Sequence, residues 1–437
     1  MGGKATRRGI RALYAEDPLQ ADWDLFGRRS DPLTRRGFLS GLGTMSALLG
    51  AEVVFSRFMP GGLMPVALAE TSTDFIIPGK HPGLVVLNDR PVNAETPAHL
   101  LDDDVTPTKR HFIRNNGAAP ASVDAKAWKI RIDGEVDKPL EFSIEDLKKN
   151  FDVVTSRLVI ECGGNGRAGF NPPASGNQWT VGAVACSEWT GVRYADVLKA
   201  AGVKSSAVYT GHYGADTHLS GDPKKVPISR GVPVAKAMDP NNLIAFEMNG
   251  QPIHPMNGAP LRAVVPGWPG SCSQKWLNRI TLRDKVHDGP KMTGTSYRVP
   301  DYPVAPGEKV AKSAFQIIES MPVKALITSP QSGLTLPKGQ DSVDVRGQAW
   351  AGDNSVSEVH VTVDFGQTWV KADLKDPANP FAWQRWSAKM KLPSHGYYEI
   401  WARATDDKGN MQPFAIAWNP KGYLNNSMHR IALRVAA

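Results

Sequence analysis

Strict alternation of apolar and polar positions marks the C-terminal third of the chain. Val343-Asp344-Val345-Arg346-Gly347, Val359-His360-Val361-Thr362-Val363-Asp364 and Tyr398-Glu399-Ile400-Trp401-Ala402-Arg403 set apolar residues two apart, with turn residues between the runs. That is the pattern of strands with one buried face. Their succession beyond about Pro322 predicts an immunoglobulin-like β-sandwich. Upstream the periods are mixed. Trp128, Ile130 and Ile132 alternate as a strand, whereas Ser143-Ile144-Glu145-Asp146-Leu147 opens a helix with a serine cap and acids in its first turn. From Tyr194 to Ala201, Val197, Leu198 and Ala201 share a helical face, and Gly202 ends the helix. Residues 70 to about 110 are rich in Pro, Asn and Asp with little periodicity, which predicts an extended arm that packs late against the body. The fold class expected is α+β.

Composition narrows the class further. A chain of 437 residues is long enough for two domains with sizeable cores, and 41% hydrophobic against 22% charged residues excludes a disordered chain. Twelve Trp with 34 Pro and 41 Gly favour short strands and shaped loops over long helices. The formal charge is +8, but the first 69 residues hold nine Lys or Arg and six Asp or Glu, so a chain cut after Ala69 keeps +5. No basic run is interleaved with aromatics, which argues against nucleic-acid binding. Cys162, Cys186 and Cys272 are the only cysteines and none stands in a C-x-x-C-H run, so neither a disulfide framework nor covalent haem is expected in this chain.

Thr34-Arg35-Arg36-Gly37-Phe38-Leu39-Ser40, the apolar Gly41 to Ala51 and an Ala67-Leu68-Ala69 cleavage site together read as a twin-arginine export signal. The apolar run is too short to span a bilayer and is soon broken by Glu52 and Arg57. The expectation is a periplasmic protein exported already folded, without a transmembrane anchor. The segments expected are a leader over residues 1–69, the arm over 70–110, a catalytic domain over 111–321 and the sandwich over 322–437.

One cysteine stands apart. Glu161-Cys162-Gly163-Gly164-Asn165-Gly166-Arg167 follows the apolar run Leu158-Val159-Ile160, and its glycines leave the main chain open to a bulky cofactor. A thiolate there suits a soft, redox-active metal, although a single buried cysteine is more often an inert small hydrophobe. Three further blocks accompany it: His111-Phe112-Ile113-Arg114-Asn115-Asn116; Ala237-Met238-Asp239-Pro240 running to Glu247-Met248-Asn249-Gly250-Gln251-Pro252; and Gly258-Ala259-Pro260-Leu261-Arg262 running through Val264-Val265-Pro266-Gly267 to Lys275-Trp276. In order and spacing these blocks resemble the molybdopterin enzymes of the sulfite oxidase family over roughly residues 85 to 430. Pro172-Pro173-Ala174-Ser175-Gly176-Asn177-Gln178-Trp179 looks closest to the sulfane dehydrogenase catalytic subunits of bacterial sulfur oxidation.

The resemblance implies a molybdopterin domain followed by an immunoglobulin-like dimerisation domain, whose hairpin Asp364-Phe365-Gly366-Gln367-Thr368-Trp369 resembles. It implies Cys162 as the one protein ligand to molybdenum and Arg114 as the substrate arginine, whose fixed parallel donors match an oxyanion. Arg262, Ser271, Ser273 and Lys275 match the wall that holds the pterin and its phosphate. Asn115 and Asn116 match a neighbouring asparagine and histidine, Asp216 matches the acid that reads the pterin amino group, and Asn257 stands where relatives carry a second histidine. Two histidine positions are thus asparagine. The active-site tyrosine of sulfite oxidases has no clear counterpart in the aligned Val286-His287-Asp288-Gly289-Pro290, and the sequence leaves open whether Tyr297, which comes later, reaches the site.

Cys272 and Cys186 are expected to be packing residues, while His212 and His218 either enter the pocket or lie on the loop surface. His81-Pro82-Gly83 matches part of the haem motif of cytochrome b5 domains, but too few residues precede the main domain for that fold. The function expected is oxidation of sulfane sulfur on a carrier protein, with water as the oxygen source and electrons passing to a dihaem c-type cytochrome. The implied assembly is a homodimer of this chain within a heterotetramer. Rival readings are a dehydrogenase of free sulfite, an oxyanion or sulfoxide reductase, and a cofactor-free binding protein that keeps the fold.

Overall fold

The computed structural model describes residues 75–437; the twin-arginine segment and its cleavage site lie outside the described residues. The arm opens with an antiparallel hairpin of β1 (Val85–Asp89) and β2 (Val92–Glu95), and an isolated bridge between Ala94 and Ile113 ties it to the body. The catalytic body follows as two sheets, one wholly antiparallel and one mixed. Strands β3 (Lys129–Gly134), β4 (Leu140–Ser143), β5 (Val153–Glu161), β6 (Val184–Arg193), β7 (Tyr209–Gly214), β8 (Leu243–Met248), β9 (Gln251–Pro252), β10 (Arg262–Val264) and β11 (Leu277–Arg283) form sheets of order β10-β8-β6-β5 and β4-β3-β11-β7. Short β9 adds to β8, and β3 with β11 is the parallel pair of the second sheet.

Both expected helices form. Helix α1 (Ile144–Asn150) starts at a capping box, in which the Ser143 side chain accepts from the Asp146 amide and the Asp146 carboxylate accepts from the Ser143 amide. Helix α2 (Tyr194–Ala201) buries Tyr194, Val197, Leu198 and Ala201, and Gly202 at φ 67 closes it in the left-handed conformation. Each such Val or Leu side chain contributes roughly 1.5–3 kcal/mol of burial. At eight residues α2 is a single short helix on a body built mostly of strands. No described helix is long and apolar enough to cross a membrane.

The expected sandwich has a four-stranded sheet (Lys324–Ser329, Ser342–Trp350, Gln384–Lys391, Asp373–Leu374) and a five-stranded one (Leu334–Leu336, His429–Val435, Gly396–Asp406, Val356–Thr362, Val370–Lys371). Val345, Val359, Val361 and Ile400, the inward members of the alternating runs, share its core with Ile431 and Trp386. A separate cluster of Val184 and Cys186 with Leu326, Trp350 and Trp383 joins the sandwich to the catalytic sheet.

Candidate active site

Strand β5 delivers the cysteine. Its last four residues, Leu158 to Glu161, are buried and pair with β6 down to Glu161 opposite Val184. The chain then turns: the Cys162 amide donates to Ala183 O at 2.9 Å and the Asn165 amide to Cys162 O at 2.8 Å. Asn165 locks the turn, accepting from the Ala183 amide and donating to Glu161 Oε1 at 3.0 Å. Gly166, at φ 88, could carry no side chain, because a Cβ would meet Asn425 at 2.8 Å.

The sandwich holds this turn as well. Lys324 pairs with Glu161 at 2.5 Å and Trp350 Nε1 donates to its other oxygen at 2.9 Å, both deep in the protein. Leu424 N donates to Gly163 O at 3.0 Å, Asn425 to Gly166 O at 2.7 Å, and Arg167 donates to Lys421 O while lying over the Tyr423 ring.

Cys162 opens into a cavity of about 620 Å³, continuous with solvent, that gathers Arg114, Asn116, Asp216, Asn257, Arg262, Ser271, Ser273 and Lys275. Asn115 stands just behind the wall and accepts from Lys275 Nζ. Arg114 Nη2 donates to Asn116 Oδ1 at 2.9 Å. Burial alone would lower the pKa of its guanidinium, but Tyr297, Cys162 and Tyr423 outweigh this and raise it, so Arg114 stays charged. Arg262, fully enclosed, donates to Asn257 O at 2.6 Å and Ser273 O at 3.0 Å, lies over Trp189, and is pulled down to about 9 by burial. Burial, reinforced by Arg262, likewise holds Lys275 well below its ordinary range.

Sequence reasoning missed three groups here. Tyr297 is the correction that matters most: it lines the cavity, and its phenol oxygen lies 3.4 Å from Arg114 Nη2 and 3.3 Å from Asn116 Nδ2. The chain returns after Pro290, takes a left-handed turn at Tyr297 (φ 53), and fixes it through the Ile318 amide donating to Tyr297 O at 3.1 Å. No side-chain pattern announces such a return. His111 also lines the cavity, buried against Ser187, with a pKa driven well below normal by burial and then by Lys80, Arg262 and Lys275. Lys80 reaches Asn257 from the arm.

Other expected candidates stay outside. His212 is buried between Tyr194 and Cys272 O, His218 bonds Ser220 on a loop, and neither lines the cavity. Cys272 and Cys186 are packed in apolar clusters. His81 Nδ1 accepts from the Gly83 amide in a local turn.

The cavity fits a pterin with a phosphate. Asp216 Oδ1 and Ser271 Oγ are buried without protein partners, an acceptor and a hydroxyl left for a ligand. Arg262 and Lys275 put buried positive charge on the same wall, which suits an anionic group. A cysteine on a glycine-rich turn beside such a wall suits a molybdopterin-binding oxidoreductase, and the family comparison gives that class. Residues 116–291 match the oxidoreductase molybdopterin binding domain, and residues 315–436 match the Mo-co oxidoreductase dimerisation domain.

Mitochondrial sulfite oxidase of Rattus norvegicus is 31% identical over 443 residues, covering 97% of this chain and 76% of that protein. The Homo sapiens enzyme is 33% identical over 378 residues, covering 82% and 67%. The crystal structure of the sulfane dehydrogenase SoxCD from Paracoccus pantotrophus superposes with a TM-score of 0.66 at 27% identity, covering 79% of this chain and 87% of that one. The chain belongs to the sulfite oxidase family of molybdenum-cofactor oxidoreductases.

Proposed function

We propose that this chain oxidises a small sulfur oxyanion, with free sulfite as the leading substrate, and does so in the periplasm after twin-arginine export. The observation that carries the reading is the Tyr297 phenol 3.4 Å from Arg114 Nη2 in the cavity that contains Cys162. The sequence argument against free sulfite rested on the loss of that phenol, and with Tyr297 beside Arg114 it lapses, while the likeness of Pro172 to Trp179 to sulfane dehydrogenases still speaks for a carrier-bound substrate. When bound, the molybdenum centre supplies the two-electron redox chemistry, with Cys162 as its protein ligand. Arg114 binds the anion through parallel donors, Tyr297 donates to a substrate oxygen, and Phe112, Ile160 and Trp276 shield the charges from bulk water. Sulfite plus water yields sulfate, two protons and two electrons, and a c-type cytochrome accepts the electrons one at a time.

A carrier-bound sulfane substrate is the second reading, favoured by the match to SoxCD along most of both chains. The dimerisation domain supports a homodimer. Anaerobic mixing of loaded enzyme with sulfite, followed by absorbance of the metal centre, separates the two. Rapid saturable reduction is expected; no reduction by sulfite, with reduction by a persulfide-bearing carrier, would replace the proposal with the second reading.

A further inference from the structure

We propose that Lys80, carried by the arm, is a positioning residue of the cofactor's phosphate site, and that the arm, by fixing Asn257 from behind, helps to retain the cofactor. Lys80 is half-buried, with its ammonium group turned inward. It donates to Thr108 O at 2.8 Å, to His111 O at 3.0 Å and to Asn257 Oδ1. Asn257 lines the cavity and is held on two further sides, by its amide donating to Phe112 O at 3.1 Å and by Arg262 donating to its carbonyl at 2.6 Å. Lys80, Asn257 and Arg262 thus form one connected stretch of wall. With its three donors engaged, Lys80 acts through the amide it fixes and through its charge.

The arm is shaped to deliver this group. Gly79 at φ 76 turns the chain inward where a Cβ would meet His254 Nε2 at 2.8 Å, and the carbonyl of Pro78 lies 2.9 Å from the same imidazole nitrogen. The His81 amide donates to Lys109 O at 2.9 Å, fastening the next residue. The electrostatics then ask for an anion. Arg262 and Lys275 line the cavity with Lys80 behind Asn257, and burial with the Arg262 charge brings Lys80 down to about 7. The acid facing Lys275 is Asp216, itself raised to about 6 by burial. Like charges gathered in this way repel until an anion lies among them. A phosphate monoester on the pterin supplies that charge, and Asn257, which cannot ionise, passes on the influence of Lys80.

The proposal rests on the cofactor assignment and not on the choice of substrate, so sulfite reduction of the loaded enzyme tests the substrate separately. Loaded wild type, Lys80→Met and Lys80→Arg are dialysed, and molybdenum and pterin are measured over time. The expected result is loss on the order of tenfold faster from Lys80→Met, the effect of removing one charged contact, with Lys80→Arg close to wild type. Melting temperatures of loaded and cofactor-free forms add a second readout: the gap between them narrows in Lys80→Met. Loss at the wild-type rate, or an equal fall in both melting temperatures, overturns the proposal. Should Lys80→Met not fold, Lys80→Gln takes its place under the same criteria.

Discussion

Tyr297 and Arg114 make the sharpest case for single side chains. Removing the phenol alone, by Tyr297→Phe, is expected to lower kcat/KM for sulfite by roughly tenfold to a hundredfold, since one donor to a charged substrate is lost in a shielded site; steady-state kinetics check it. Arg114→Lys is expected to act mainly on KM, because a single ammonium cannot reproduce the parallel donors that Arg114 holds beside Asn116. Cys162→Ser is expected to yield a folded protein without turnover, measured as molybdenum content against activity. Glu95 reports on pH. Burial outweighs the hydrogen bonds it accepts from Thr180 and Gly182 and raises its pKa from 4.5 to about 7. Across that window the unfolded chain binds fewer protons than the folded one, so stability falls as pH rises from 4.5 to about 7. Urea titrations of Glu95→Gln are expected to show this slope flattened.

The decisive element is the turn after β5. Its glycines and the family resemblance marked it in the sequence as the expected metal loop, but its rigidity comes from partners far along the chain. Glu161 is neutralised by Lys324, 163 positions away, and receives the indole of Trp350 as well. Lys324→Met leaves a buried carboxylate unpaired and is expected to cost about 3–5 kcal/mol in denaturant unfolding. Sequence patterning placed β3, α1 and α2 correctly because caps and periodicity are local signals. It missed Tyr297 because a left-handed turn at a tyrosine is imposed by the surrounding fold, not by its own preference.

Over the molecule as a whole, the sandwich both carries the family's dimerisation domain and finishes the catalytic site. Residues 421–425 bind the cysteine loop, and Tyr423 stacks on Tyr297 with ring centroids 5.5 Å apart. A chain truncated after residue 321 would lose Lys324, Trp350 and this segment together. It is expected to fail to retain molybdenum, a loss that metal analysis of the purified fragment would register.

Alternation, caps and turn residues determined the class of fold because they are local signals, while the spaced blocks carried the resemblance to the family and, through it, named Arg114, Cys162, Arg262 and Lys275, which the structure gathers at one cavity. Tertiary structure alone decided that Tyr297 reaches Arg114, that Lys80 enters from the arm, and that the sandwich clamps the cysteine turn. Each of these joins residues more than a hundred and fifty positions apart. Contacts of that separation follow from how sheets pack and where the chain turns back, and neither is written in the spacing of neighbouring side chains.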